Sequence, residues 1–314
     1  MQTTLATDYN GQSRDRDTIR ATLKTIADAG ITHVHWAHEW AGDYFFTADD
    51  IAFIRDALKE YGLGVKGIHA SNGWYYQKAE GFYKTIFQAV GRTDIASMDE
   101  SFRRKGSDLV HNRLQLAEAV GAREIVLHVQ VPYVLFKDPD YTEKYYGQVF
   151  KTLDENEAYA RETGVRVCIE NMVGTPNDIQ FDEFDRLFDR YAPDYLGYCC
   201  DTGHCILTDR YDPFCIPRKY ADRLHMMHLN DNHGYAFPGD FSDDCGMSWA
   251  DEHIVMGDGI IDFDAFAEIV ARSPYDMPVV GEFSIHKDEE SAFLNRCREQ
   301  MERFTQKVLA LRAQ

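Results

Sequence analysis

The sequence predicts a single (β/α)₈ barrel spanning residues 1–314. Three observations predict it. Apolar, β-branched runs alternate with segments of helical periodicity along the whole chain, which implies parallel strands. Eight such units are counted in 314 residues, a length within the range of barrels built as one domain. The first strand is not followed by the GxGxxG turn that usually marks an open doubly wound sheet. No charge block or Ser/Gly/Pro-rich linker divides the chain.

Residues 3–7 read as the first strand. Ile19, Leu23 and Ile26 recur at helical spacing over residues 17–29, and Gly30 closes that helix. ITHVHWAH, residues 31–38, is the second strand. Thr47 with Asp50 forms a capping box ahead of Ile51, Ile54 and Leu58, and Gly62 stops the helix. VKGIHA is a strand ending near His69. Residues 71–100, rich in Gly, Tyr and Phe, are too long for a plain connection and read as a functional loop with some helix of its own. Val110, Leu114 and Ala117 mark a helix ending at Gly121, and EIVLHVQV with His128 is the next strand. Tyr146, Val149, Phe150 and Leu153 mark a helix closed by Gly164. VRVCIEN, a helix over residues 181–191 and LGYCCDTGH follow, then a helical turn over 217–223 leading into LHMMHLND. Residues 232–259 are a second long loop. A helix over 263–271, the strand PVVGEFS and a terminal helix over 289–313 complete the chain, with Phe293, Cys297, Met301 and Phe304 on one face.

The net charge of −19 repels phosphate backbones and disfavours nucleic acid as a partner. No 18-residue apolar run is present, so no membrane span is expected. The first residues lack a basic segment followed by an apolar core, so no signal peptide is expected. Seven scattered cysteines without framework spacing or a CxxC pair point to reduced thiols in a cytoplasmic protein and against a cysteine zinc site.

VRVCIEN, residues 165–171, is a run buried on both faces that ends in Glu170. A carboxylate at the end of such a strand is costly unless it is paired or binds a metal. One instance could be a glutamate that has reached solvent. However, LGYCCDTGH ends its apolar run on Asp201, HMMHLND carries His228 and PVVGEF ends on Glu282. Carboxyl ends of barrel strands converge on one face, where active sites lie. His69 and His128 belong to the same rim. Two glutamates, an aspartate and a histidine form a mostly oxygen donor set. It suits Mn²⁺ first, with Zn²⁺, Co²⁺ or Mg²⁺ as alternatives. A cation holding a sugar's carbonyl and hydroxyl acidifies the C–H between them, and one glutamate can remove the proton while the other returns it.

At these residues the chain resembles the xylose isomerase-like TIM barrels, a family of sugar isomerases, ketose 3-epimerases, inosose-processing enzymes and endonuclease IV. The markers are CIEN at Glu170, DTGH at Asp201 and His204, HLND at His228, DEHIVMGDGIIDF, and GEF at Glu282. The resemblance implies that Glu170, Asp201, His228 and Glu282 bind one divalent metal. It further implies that Glu170 and Glu282 are the catalytic acid/base pair and that His204 lies beside the substrate oxygens. The implied activity is isomerisation or epimerisation of a small keto-sugar, sugar phosphate or polyol. The endonuclease IV branch holds three zinc ions, and its extra ligands correspond to His69, His128, His204, Asp251 and His253. This keeps a multinuclear metal hydrolase or phosphodiesterase as the alternative. His128 is followed by VQV rather than that branch's Pro-Gly, and His69 by Ser-Asn-Gly-Trp, which weakens the DNA-repair reading.

Trp36, Trp40, Trp74 and Tyr75 are candidates for an apolar wall against a sugar face, with loop packing as the alternative. Few Lys or Arg residues flank the motifs, which favours an unphosphorylated substrate. His33, His35, His111 and His286 read as structural or surface residues. His225, three residues before His228, is expected on the opposite face of its strand, between barrel and helices. Aromatic-rich rim loops are common dimer surfaces and leave a homo-oligomer open.

Overall fold

The computed structural model describes residues 1–40, 42–71, 94–129, 136, 138–173, 175–234 and 250–314. Eight parallel strands form one sheet: β1 (Thr4–Ala6), β2 (His33–Trp36), β3 (Gly64–His69), β4 (Glu124–Leu127), β5 (Arg166–Glu170), β6 (Leu196–Asp201), β7 (Leu224–His228) and β8 (Val280–Gly281). Neighbours in sequence are neighbours in the sheet, and β8 pairs with β1. A parallel bridge between Leu229 and Gly281 joins the end of β7 to β8 and closes the ring. Among the described residues the strands are connected by helices α1 (Arg16–Asp28), α2 (Ala48–Glu60), α3 (Glu100–Val120), α4 (Pro139–Thr163), α5 (Asn177–Arg190), α6 (Thr202–Thr208), α7 (Cys215–Lys219), α8 (Phe263–Arg272) and α9 (Glu290–Arg312).

Local chemistry sets the helix ends. Asp15, Asp99 and Asp138 each cap a helix with a side-chain oxygen, and the capping box between Thr47 and Asp50 is formed on both sides. Gly121 and Gly164 close α3 and α4 in the left-handed conformation, at φ 76° and 70°. The long segment of residues 71–100 and the centre of the loop 232–259 lie largely outside the described residues, as do Trp74 and Tyr75.

Strand parity divides the core. Outward residues such as Leu5, Val34, Ile68, Ile125, Val167, Ile169, Tyr198 and Met227 pack against the helices in one large apolar cluster. Phe293, Cys297, Met301 and Phe304 of α9 join it as one face. Trp36, a candidate for the rim wall, also packs in this outer layer, 6.4 Å from the Phe46 ring, because it falls on the outward parity of β2. Inside the barrel, Val126, Cys168, Cys199, Met226 and Val280 form a separate small cluster. Below it, Glu124 bonds Lys66 at 3.4 Å and Arg166 at 3.3 Å. His225 belongs to this lower inner layer. A Cβ added at Gly197 would meet the His225 ring together with Arg166 and the inward Cys168. The expectation that His225 faces outward fails because the β6–β7 register slips between Tyr198 and Cys199, placing His225 and Met226 on the same side.

Past β7, Asp231 fixes the chain that returns to the rim. Its buried carboxylate accepts hydrogen bonds from the backbone N–H groups of Asn232 (2.9 Å), Gly257 (2.8 Å), Gly259 (3.0 Å) and Ile261 (3.1 Å). A Cβ at Gly259 would collide with the Asn232 carbonyl, so this turn requires glycine. Asp231→Ala would leave several buried donors unsatisfied, each costing ~1–3 kcal/mol. We expect a loss of about 3 kcal/mol in urea unfolding, and a partial loss for Asp231→Asn, which keeps one acceptor.

Candidate active site

Each strand end brings one side chain to the carboxyl-end mouth: Asp8 just beyond β1, Trp40 beyond β2, His69 on β3, His128 beyond β4, Glu170 on β5, Asp201 on β6, His228 on β7 and Glu282 beyond β8. Ligand atoms of Glu170, Asp201, His228 and Glu282 all lie within 4.8 Å of one another. His228 Nδ1 is 3.2 Å from Glu170 Oε1 and 3.2 Å from Glu282 Oε2. Its Nε2 meets Nε2 of the buried His35 at 3.3 Å. His35, expected among the structural or surface histidines, therefore supports His228 from below.

Asp201 is wholly buried. Oδ1 accepts the His204 backbone N–H at 2.7 Å, capping α6, and Oδ2 accepts Asn230 Nδ2 at 2.7 Å. The Asn171 side chain clamps the same strand end, accepting the Asp201 N–H at 2.9 Å and donating to the Asp201 carbonyl at 3.0 Å. The glycine of DTGH is required here, since a Cβ at Gly203 would collide with the Asn230 side chain.

The extra residues form two further groups. Glu170 Oε2 faces His128 Nε2 at 3.0 Å and His69 Nε2 at 3.9 Å. On the other side, Asp251 Oδ2 lies 3.1 Å from His204 Nε2 and 3.0 Å from His253 Nε2. His253 Nδ1 lies 3.6 Å from Glu282 Oε2, which places the returning loop at the cluster. His204 Nδ1 donates to the Asn171 carbonyl at 2.8 Å and His253 Nδ1 to the Glu282 carbonyl at 3.0 Å. A carbonyl only accepts, so Nδ1 carries the proton in both rings. Nε2 of each ring faces Asp251 Oδ2, donating to it while the ring is charged and presenting a lone pair there once the ring is neutral.

Burial opposes ionisation throughout, and the neighbouring charges decide each balance. Burial together with the charge of Glu170 pushes the Asp201 carboxyl up to about 6, despite His204. For Glu170 and Glu282, burial is outweighed by His228, with His128 beside the first and His253 beside the second, and both carboxyls lie below the usual range. Burial is likewise outweighed at His204, where Asp201 and Asp251 push the imidazole up to about 10. Burial and His128 bring His69 down to about 3, so it is neutral. Asp8 is pushed up to about 7 by burial and by Glu282.

Among the described residues, no lysine or arginine pairs with Glu170, Asp201, Asp251 or Glu282, whose ion-pair partners are all histidines. Crowded buried carboxylates with neutralisable imidazoles form a donor set that suits a divalent cation of hard or borderline character.

Asp8, His35, Asn171 and Asn230 were missed in the sequence. Asp8 carried the same signal as Glu170, an apolar run ending in an acid, but on a strand of only three residues. The asparagines gain their roles only from neighbours about thirty residues away.

A family model described as xylose isomerase-like TIM barrel matches residues 15–303. The chain belongs to the xylose isomerase-like TIM barrel family. Within its relatives, an uncharacterised protein of Sinorhizobium fredii is 29% identical over 262 residues, covering 83% of this chain and 79% of its own. An inosose dehydratase of Lacticaseibacillus casei is 29% identical over 278 residues, covering 81% and 87%. Among solved structures, a D-tagatose 3-epimerase-like protein superposes with a TM-score of 0.66 at 17% identity, over 99% of both chains. An L-ribulose 3-epimerase gives 0.66 at 17% identity, over 99% of this chain and 98% of its own. At that identity the likeness is one of fold. The nine residues that the resemblance implies as metal ligands all fall in groups at this rim whose ligand atoms lie within 4.8 Å of one another.

Proposed function

We propose that this protein is a divalent-metal-dependent isomerase or epimerase of a small, unphosphorylated keto-sugar or polyol. The observation that carries this reading is the pair Glu170 and Glu282, each 3.2 Å from the same nitrogen of His228 at the mouth of the barrel. Glu170, Asp201, His228 and Glu282 would hold the cation. When bound there, the cation would polarise the substrate carbonyl and lower the pKa of the adjacent C–H. Glu282, the more exposed of the two glutamates at 13% against 1%, would remove that proton as general base, the C–H electron pair forming a C=C bond as the carbonyl π pair moves onto oxygen. Glu170, ionised in the resting site, takes up a proton through His128, 3.0 Å from its Oε2, and returns it to the opposite face or to the neighbouring carbon. His69 and His204 border the substrate oxygens. Relatives named as inosose dehydratase and sugar epimerase support a polyhydroxy ketone, whose chemistry begins with the same α-proton.

The test is proton exchange in D₂O with Mn²⁺-loaded protein and a panel of keto-sugars, read by NMR. Deuterium at a carbon beside the carbonyl is expected. The reading fails if no ketone exchanges. His35→Phe should weaken Mn²⁺ binding by about 10–100-fold in a metal titration, because His35 orients His228.

A second reading is favoured by one observation, the convergence of His204 and His253 on Asp251. In both rings a backbone carbonyl fixes Nδ1–H, so Nε2, which faces Asp251, is the nitrogen that a cation would take once it displaces the proton there. A further cation there would support a multinuclear hydrolase of the endonuclease IV type. His253→Ala should keep the fold and the ion of the four-residue cluster but lose roughly 2–3 kcal/mol of transition-state stabilisation. Normal turnover with a full metal complement would reduce the loop to a lid edge. Cleavage of an abasic duplex, with two or three ions bound, would establish the second reading over the first.

A further inference from the structure

The site has two unlike halves. β5 to β8 supply the carboxylates and His228, whereas β2 to β4 supply an indole and two imidazoles. The Trp40 ring lies 4.7 Å from His69 and 5.4 Å from His128, and it is only partly buried. Its loop is held firmly. Arg113, fully buried on α3, donates to the carbonyls of Glu39 at 3.0 Å and Tyr44 at 2.8 Å. Asn112 both donates to the Phe46 carbonyl and accepts its N–H, each at 2.9 Å. Glu39, immediately before Trp40, takes φ 62°, a strained conformation that persists only where its surroundings enforce it. Finally, Trp40 Nε1 donates to Asp8 Oδ2 at 3.2 Å, which ties the indole to the end of β1. Among the described residues, Trp40 is the side chain that hydrogen-bonds Asp8, and it does so through Oδ2.

An indole fixed beside a polar cluster presents an apolar surface with hydrogen-bonding groups around it. We propose that Trp40 and Asp8 form the substrate-binding wall opposite the carboxylate cluster. The C–H face of a neutral polyhydroxy ketone packs on the indole, and Asp8 Oδ1 bonds one of its hydroxyls. This rests on the isomerase or epimerase reading above and adds which residues orient the substrate. Trp40 and Asp8 bind substrate and take no part in the proton transfer.

The experiment uses full-length Mn²⁺-loaded protein, with D-fructose, D-tagatose, L-ribulose and a keto-cyclitol as probes. For the ketone that exchanges fastest, Trp40→Ala and Asp8→Asn should raise KM about 10-fold with kcat within about threefold, the signature of lost uniform binding. Trp40→Phe keeps a ring but cannot reach Asp8, and should raise KM by an intermediate factor. That ketone should also change the tryptophan emission of the wild type, and the change should vanish in Trp40→Phe. Circular dichroism and metal content check that each variant is folded and loaded. Unchanged KM in Trp40→Phe and Asp8→Asn, with the emission change retained, would overturn the wall while leaving the reaction standing. Equal competition by D-fructose 6-phosphate and D-fructose would overturn the neutral ligand. Absence of exchange with every ketone would overturn the functional reading, and the wall with it.

Discussion

Glu282→Gln is expected to lower kcat by about 10²–10⁴-fold while KM changes little. The amide keeps the shape and one oxygen of the carboxylate, so the remaining Glu170, Asp201 and His228 still converge. What it lacks is a basic oxygen. In the wild type, burial opposes ionisation of Glu282, but His228 and His253 outweigh it and hold the carboxyl below its usual range. It is therefore ionised and ready to accept a proton at neutral pH. Steady-state kinetics at saturating Mn²⁺, with metal content measured on the same samples, check this. Full recovery of kcat once the metal is restored would make Glu282 a ligand alone and remove the acid/base assignment.

Asp201→Asn is expected to lower metal affinity and activity together, by more than the roughly 10–100-fold that an orienting residue costs. Asparagine is a good N-cap, so the bond from the His204 N–H to this side chain survives and α6 should still start correctly. Asn230, which donates to Asp201 Oδ2 at 2.7 Å, has an unpartnered buried Oδ1 that can turn to accept instead. The substitution thus removes charge with little change of structure. A Mn²⁺ titration followed by kinetics should show activity tracking occupancy. Retained affinity with lost turnover would mean that Asp201 takes part in the chemistry and does more than hold the ion.

The strand ends were legible because parallel barrel strands are apolar on both faces, so Glu170, Asp201, His228 and Glu282 each stood out against their runs. The same parity argument misplaced His225, because a register slip is a property of two paired strands and leaves no mark on either alone. Trp36 and Trp40 look alike in sequence, yet one is in the outer core and the other beside His69. Parity within β2 places the first, while the second depends on Arg113, some seventy residues away. Asp251 and His253 were found by resemblance to a family motif. Their proximity to His204 comes from Asp231, whose four backbone bonds bring that chain back to the rim.

If Glu170, Asp201, His228 and Glu282 form one divalent-cation site, that ion must depend on Asp201. Metal content per chain, measured by mass spectrometry on protein purified without chelator, tests this most directly in the wild type, Asp201→Asn and His253→Ala. The expected result is an ion in the wild type that is lost from Asp201→Asn and kept by His253→Ala. A wild type that binds no divalent cation, or an Asp201→Asn variant that keeps its full complement, would contradict it.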